Sequence, residues 1–121
     1  MPTTKVVLFK DEDGTVPLRR WLKQQIPKAR AKCRVRLERL AAFGRELRRP
    51  EADFLRDGIY ELRVSLQGIN YRILYFFHGE DAVVVSHGLT KRKQVPPKEI
   101  DLALARKKEF ETNPAKYSAS E

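Results

Sequence analysis

Residues 59–89 read IYELRVSLQGINYRILYFFHGEDAVVVSHGL, and this stretch decides the fold. Ile59–Gln67 sets Tyr60, Leu62, Val64 and Leu66 against Ile59, Glu61, Arg63 and Ser65, the period of a strand. Gly68 and Asn70 lie in a tight connection to Tyr71–Phe77 (YRILYFF). His78-Gly79-Glu80-Asp81 then turns the chain into Ala82–Leu89 (AVVVSHGL). Connections this short force antiparallel neighbours, so the spacing predicts a three-stranded meander. The middle run is apolar on both faces except at Arg72, which marks it as the central strand, covered on both sides. A guanidinium placed there needs an anion, either a carboxylate neighbour or a ligand phosphate.

Upstream, Lys5–Phe9 (KVVLF) is a short β-branched run, stopped by Asp11-Glu12-Asp13-Gly14. Pro17 suits a first helical position, and Leu18, Trp21, Leu22 and Gln25 follow at amphipathic spacing. Pro27 closes that helix and opens a longer one, which Gly44 stops. Ile26, Ala29, Cys33, Leu37, Leu40 and Ala41 form its apolar stripe, opposite Lys28, Lys32, Arg36 and Arg39. Cys33 reads as a small core residue. Pro50–Gly58 reads as a loop with Phe54 and Leu55 pinned to the core. Downstream, Pro97 begins a helix packed through Ile100, Ala103 and Leu104. Glu99 and Asp101 in its first turn and Arg106, Lys107 and Lys108 in its last complement the helix dipole. Pro114 marks its stop, and Lys116–Glu121 reads as a frayed polar tail. The expected architecture is α+β: an N-terminal strand, a two-helix hairpin, a three-stranded antiparallel meander and a C-terminal helix. One domain is expected over residues 1–112, with a polar tail over 113–121.

At 121 residues, 41% hydrophobic and 34% charged, the chain has the length and composition for one globular core. No apolar run approaches the roughly 18 residues of a membrane span, and no apolar signal core opens the chain. The single cysteine excludes an internal disulfide and a Cys-rich zinc site. A reducing cytoplasm is the expected compartment. The net charge of +9 is unevenly spread, since Arg19–Arg49 holds 12 basic and 2 acidic residues. Such segregation gives the field a direction and suits a polyanion such as RNA.

The basic residues of the meander carry the chemistry. Arg63 and Arg72 fall on adjacent strands, and Lys91 and Arg92 end the third. Strand parity puts His87 on the same face as Lys91, and the histidine pKa range suits proton transfer near neutrality. Tyr71 and Tyr75 are the nearby aromatic residues. Clustered cations of this kind fit a bound phosphate. His78, His87 and Cys33 have no ligand-like spacing, so no metal site is expected. There is no glycine-rich phosphate loop and no nucleophile elbow.

Four strings, in this order, resemble a known family: LRDGIYELR (Leu55–Arg63), YRILY (Tyr71–Tyr75), HGLTKR (His87–Arg92) and PKEI (Pro97–Ile100). Over about residues 5–112 the chain is similar to the phage-derived, HigB-like branch of the RelE/ParE toxin superfamily. The resemblance implies a RelE-like fold and a type II toxin that cleaves mRNA, usually on a translating ribosome, and needs no cofactor. It implies a cognate antitoxin, expected to be a helix-turn-helix protein of the HigA type. In RelE-like enzymes the RNA 2′-hydroxyl attacks the adjacent phosphate while basic residues stabilise the developing charge. Carried over by motif, Arg63, Arg72, Lys91 and Arg92 are the catalytic cations, with His87 and Tyr75 as further catalytic candidates. Lys28, Lys32, Arg36 and Arg39 are the expected RNA-binding residues. The chain departs from RelE where paired lysines would precede the Leu-Arg dipeptide, since Tyr60 and Glu61 stand near there. RelE's tyrosine after the strand-end basic residue also lacks a counterpart, with Val95-Pro96-Pro97 in that region. The same fold carries ParE-like DNA gyrase inhibitors, and an RNA-binding module without chemistry is a third reading.

Overall fold

The computed structural model describes residues 4–91 and 93–120. Strand β1 (Lys5–Phe9) leads into α1 (Pro17–Lys23) and α2 (Pro27–Phe43), followed by β2 (Ala52–Arg56), β3 (Ile59–Leu66), β4 (Ile69–His78) and β5 (Ala82–Lys91). Helix α3 (Pro97–Thr112) and the short β6 (Ser118–Ser120) complete the chain. The strands form one sheet in the order β2-β3-β4-β5-β1-β6. Its centre is the expected antiparallel meander, β3-β4-β5. The β3–β4 turn uses Gln67 at φ 52° and Gly68 at φ 81°, the left-handed pair that suits the twist of a two-residue hairpin.

The mixed α+β class holds, but the sheet has six strands rather than a meander plus one. Residues 52–56, expected in a loop, form β2 by pairing with β3 through an Asp57-Gly58 turn in which both residues have positive φ. Phe54, expected in the core, is 53% exposed, because β2 is an edge strand and this residue faces outward. Residues 118–120, expected to fray, pair with β1 as β6, and Tyr117 before them is buried against Phe9 with ring centroids 5.9 Å apart.

The sheet is covered on both faces. Helices α1 and α2 pack on one through Leu18, Leu22, Ala29, Cys33, Leu37 and Leu40, against Leu62, Val64, Ile73 and Tyr75. Helix α3 covers the other through Ile100, Ala103 and Phe110, against Ile59, Leu74, Phe76 and Val84. Burying each large apolar side chain contributes roughly 1.5–3 kcal/mol, so both faces stabilise the fold. Strand β4 lies between them with Tyr71–Phe76 buried throughout, as its two-sided apolar pattern requires.

The registers decide where the sheet is open. Pairing of β2 with β3 starts at Ala52↔Leu62, and β1 follows β5 only as far as Leu8↔Val85. The end of the meander carrying Arg63–Leu66, Ile69–Ile73 and Ser86–Lys91 therefore projects beyond its flanking strands. Both candidate sites described below lie at this end.

Candidate active site at the open edge of the sheet

Arg63 and Arg72 are direct cross-strand partners in the β3–β4 register, on the face that α3 covers further along. Lys91 pairs with Asn70 on β5, which makes it a diagonal neighbour of Arg72. Two adjacent guanidiniums repel, and Glu61 resolves the conflict. Its carboxylate lies 3.3 Å from Arg72 Nε and 3.6 Å from Arg63 Nε. Glu61 and Arg72 are almost enclosed, with side chains 8% and 7% exposed, whereas Arg63 is 35% exposed. Arg72 Nη1 also donates to the Tyr71 carbonyl at 3.0 Å. Its Nε, although close to Glu61, is not aligned for a hydrogen bond and has no acceptor among the described residues. An enclosed donor of this kind is a cost of burying the arginine, and only the part of Arg72 that lines the neighbouring cleft can meet an external anion.

Burial shifts the ionisation of this group. Removal from water pushes the Glu61 carboxyl above its ordinary pKa, against the pull of Arg72, Arg63 and Lys91. The Lys91 ammonium is pushed down by burial and by the positive charge of Arg72 and Arg63, with Glu61 opposing. Arg72 is lowered by burial but stays a cation, as any arginine does near neutrality.

Of these residues, Arg63 and Arg72 open into a cleft of about 650 Å³ at the β3 edge, with Lys91 and Glu61 outside its lining. Lys32, Arg36, Arg63, Arg72 and Lys93 line it, with Glu51, Ser65 and Asn70 among the remaining walls. Lys32 reaches from α2 over the edge and donates to the Ser65 carbonyl at 2.8 Å. The Arg63 backbone N–H donates to the Glu51 carbonyl at 2.8 Å, which fixes the cleft's near wall. The Glu51 carboxylate is occupied by Arg39 through contacts of 2.9 and 2.7 Å. The cleft therefore presents a strong positive potential where a phosphate could approach Arg72.

The structure brings together Arg63, Arg72 and Lys91, and adds Lys32 and Arg36 from the helix face read as a separate RNA-binding surface. Arg39 is spent on Glu51, and Lys28 is exposed outside the cleft lining. Arg92 lies outside the described residues. Tyr75 does not join the cations: it is buried on the opposite, α2-covered face, stacked on Tyr60 at 5.5 Å. Burial pushes its hydroxyl above the ordinary tyrosine value, which makes it a poor proton donor or acceptor near neutrality.

His87 shares the sheet face of Arg72 but sits in a different cluster. Its Nε2 lies 2.9 Å from Glu99 Oε1 on α3, and its Nδ1 2.8 Å from Ser86 Oγ. A bulge in the β4–β5 pairing beside Ser86 brings these groups together. Burial lowers the His87 pKa, partly offset by the Glu99 hydrogen bond. Sequence reasoning passed over Lys93 and Glu61 as site residues. Lys93 belongs to the same basic run as Lys91, and Glu61 shares the alternating face of Arg63, so both signals were present. Among the described residues, no group of three or more His, Cys, Asp or Glu side chains is placed to hold a metal ion.

Comparison with known families identifies the class. A model for phage-derived Gp49-like proteins matches residues 20–108, well over half of the chain and all of the cleft-lining residues. The chain belongs to this Gp49-like family, which is part of the RelE/HigB-type toxin superfamily. Membership points to the toxin component of a toxin–antitoxin module, and so to an antitoxin partner. The family is associated with RelE-type toxin endoribonucleases. No curated protein matches the chain. Among the described residues, no helix is long and apolar enough to cross a membrane.

Proposed function

We propose that the chain is a HigB-like, ribosome-dependent mRNA endoribonuclease that works without a metal and is silenced by a helix-turn-helix antitoxin. The observation that carries this reading is the cross-strand pair Arg63–Arg72 at the mouth of a cleft lined by five cations. In this reading the scissile phosphate docks on Arg72 and Arg63, and Lys32, Arg36 and Lys93 hold its neighbours along the strand. The 2′-hydroxyl oxygen bonds to phosphorus, its proton passing to the neutral amine of Lys91. Burial and the charges of Arg72 and Arg63 move the Lys91 pKa down, the direction that favours this neutral form, with Glu61 opposing. The P–O5′ bond breaks, the leaving oxygen takes a proton from water, and the products are a 2′,3′-cyclic phosphate and a 5′-hydroxyl. Charge developing on the phosphate oxygens is met by guanidiniums fixed before the substrate arrives, which is where electrostatic catalysis gains most. Glu61 acts as a positioning residue that holds the two arginines side by side.

The test is cleavage of a defined mRNA on purified, programmed ribosomes, with cut sites mapped by primer extension. Discrete cuts by the wild type, retained in excess chelator on preformed complexes and lost in Arg72→Ala, are expected. Absence of cuts together with inhibition of DNA gyrase would replace this reading with the ParE-like one.

A further inference from the structure

A second pocket, of about 260 Å³, lies at the opposite open edge of the projecting meander, where β1 has stopped pairing with β5. Trp21 and Arg20 of α1 form one side, Leu102 and Arg106 of α3 the other, with His87 and Asp11 completing it. The volume falls below the roughly 300–1,000 Å³ of drug-sized sites, so it has room for one small group. Arg106 is 15% exposed, and its guanidinium lies over the Phe9 ring at 5.5 Å. Its Nη1 lies 3.5 Å from Ser86 Oγ and its Nη2 3.9 Å from an Asp11 oxygen. Among the described residues, Ser86 is the only hydrogen-bond acceptor it reaches, although a guanidinium has five N–H donors. The His87 ring is held at both nitrogens by Ser86 and Glu99, so that wall is rigid.

The charges here differ from those of the first cleft. Arg20 and Arg106 face the Asp11 carboxylate across the pocket, and Glu99, which lies outside the lining, adds a second negative charge behind the His87 ring to which it is bonded. A balanced set of donors and acceptors beside an indole and a leucine suits a neutral, polar, flat ring better than a phosphate. We propose that this pocket is a nucleobase site that receives one unpaired guanine of a single-stranded RNA. Arg106 supplies donors for the guanine O6 and N7 acceptors, Asp11 accepts from its N1 and N2 hydrogens, and Trp21 lies against the ring. Arg72 pairs with Leu89 on β5, two residues along that strand from His87 in the pocket wall, so both sites lie at the same end of the sheet. The assignment of the guanine to an RNA strand rests on the ribonuclease reading; the pocket's own chemistry does not.

Trp21 is the sole tryptophan, so the intrinsic fluorescence of the full chain reports on this pocket directly. Titration with guanosine 5′-monophosphate should quench it saturably, with inorganic phosphate causing no change and cytidine 5′-monophosphate binding at least threefold more weakly. Arg106→Gln should weaken the guanosine response about tenfold. Should that variant fail to fold, Asp11→Asn in the exposed turn carries the test, with a several-fold loss confined to guanosine. No saturable change, or equal quenching by all nucleotides that neither variant alters, would overturn the proposal. Arg72→Ala should abolish cleavage and leave the titration intact. Saturable binding by a wild-type protein that cuts no RNA would therefore sink the ribonuclease reading alone.

Discussion

Arg72 and Glu61 are a nearly enclosed ion pair, and removing either partner has two separable effects. Arg72→Ala should lower cleavage on the order of 10²–10³-fold through loss of an oriented charge at the phosphate. It also removes the nearer partner of the buried Glu61, leaving it only Arg63 at 3.6 Å, so the loss of stability should fall below the roughly 3–5 kcal/mol of a fully broken buried pair. Adding Glu61→Gln should recover much of the melting temperature but none of the cleavage, and thermal melts beside the ribosome assay separate the two effects. Arg72→Lys keeps the charge without the planar fork and should be impaired. Lys91 governs the pH profile. Because its pKa is depressed, the wild-type rate should rise with pH while the amine deprotonates, and then level off below the ordinary lysine value of 10.5. Lys91→Arg, cationic throughout, should lose that rise in single-turnover profiles. At this scale Arg72 was legible because a lone charge in an apolar run demands an explanation. Tyr75 was misplaced in the site because proximity in sequence to Arg72 says nothing about which face a side chain takes. Three residues on, strand alternation puts it on the other side of the sheet.

Helix α1 is seated on β5 through a contact that only glycine permits. A Cβ at Gly88 would lie 2.2 Å from the Trp21 ring. Gly88→Ala should therefore push the indole aside, at a cost of about 1–3 kcal/mol typical of overpacking, and shift the Trp21 emission. Chemical denaturation followed at the tryptophan measures both. Helix α2 divides its basic residues between two roles. Replacing Lys32 and Arg36 by Gln should weaken RNA binding and flatten its salt dependence, because both line the cleft. Replacing Lys28 should do little, and sedimentation with ribosomes at several salt concentrations distinguishes this variant from the Lys32/Arg36 double variant. The helices and the meander were readable from proline placement, apolar periodicity and short turns. Strand β2 was missed although Asp57-Gly58 is a strong hairpin signal, because the charged residues around it obscured the alternation. Strand β6 was not readable, since Ser118–Ser120 has no strand pattern of its own and is ordered by pairing with β1.

For the molecule as a whole, the excess charge of the Arg19–Arg49 window acquires a location. Part of it, through Lys32 and Arg36, converges with the meander cations on one open edge, and part, through Arg39, is neutralised at Glu51. The fold places this cleft and the α1–α3 pocket at the same projecting end of the sheet, so one surface can meet one strand. That convergence could not be read from the sequence, because it depends on where β1 and β2 stop pairing rather than on any motif. The central claim is that this end of the sheet cuts RNA by fixed positive charge. Its most direct measurement is single-turnover cleavage of a short mRNA on programmed ribosomes, comparing wild type with Arg72→Ala and the folded Arg72→Ala/Glu61→Gln variant. The account predicts cuts yielding a 2′,3′-cyclic phosphate end for the wild type and a loss of at least a hundredfold in both variants. Full-rate cleavage by the folded double variant would contradict it.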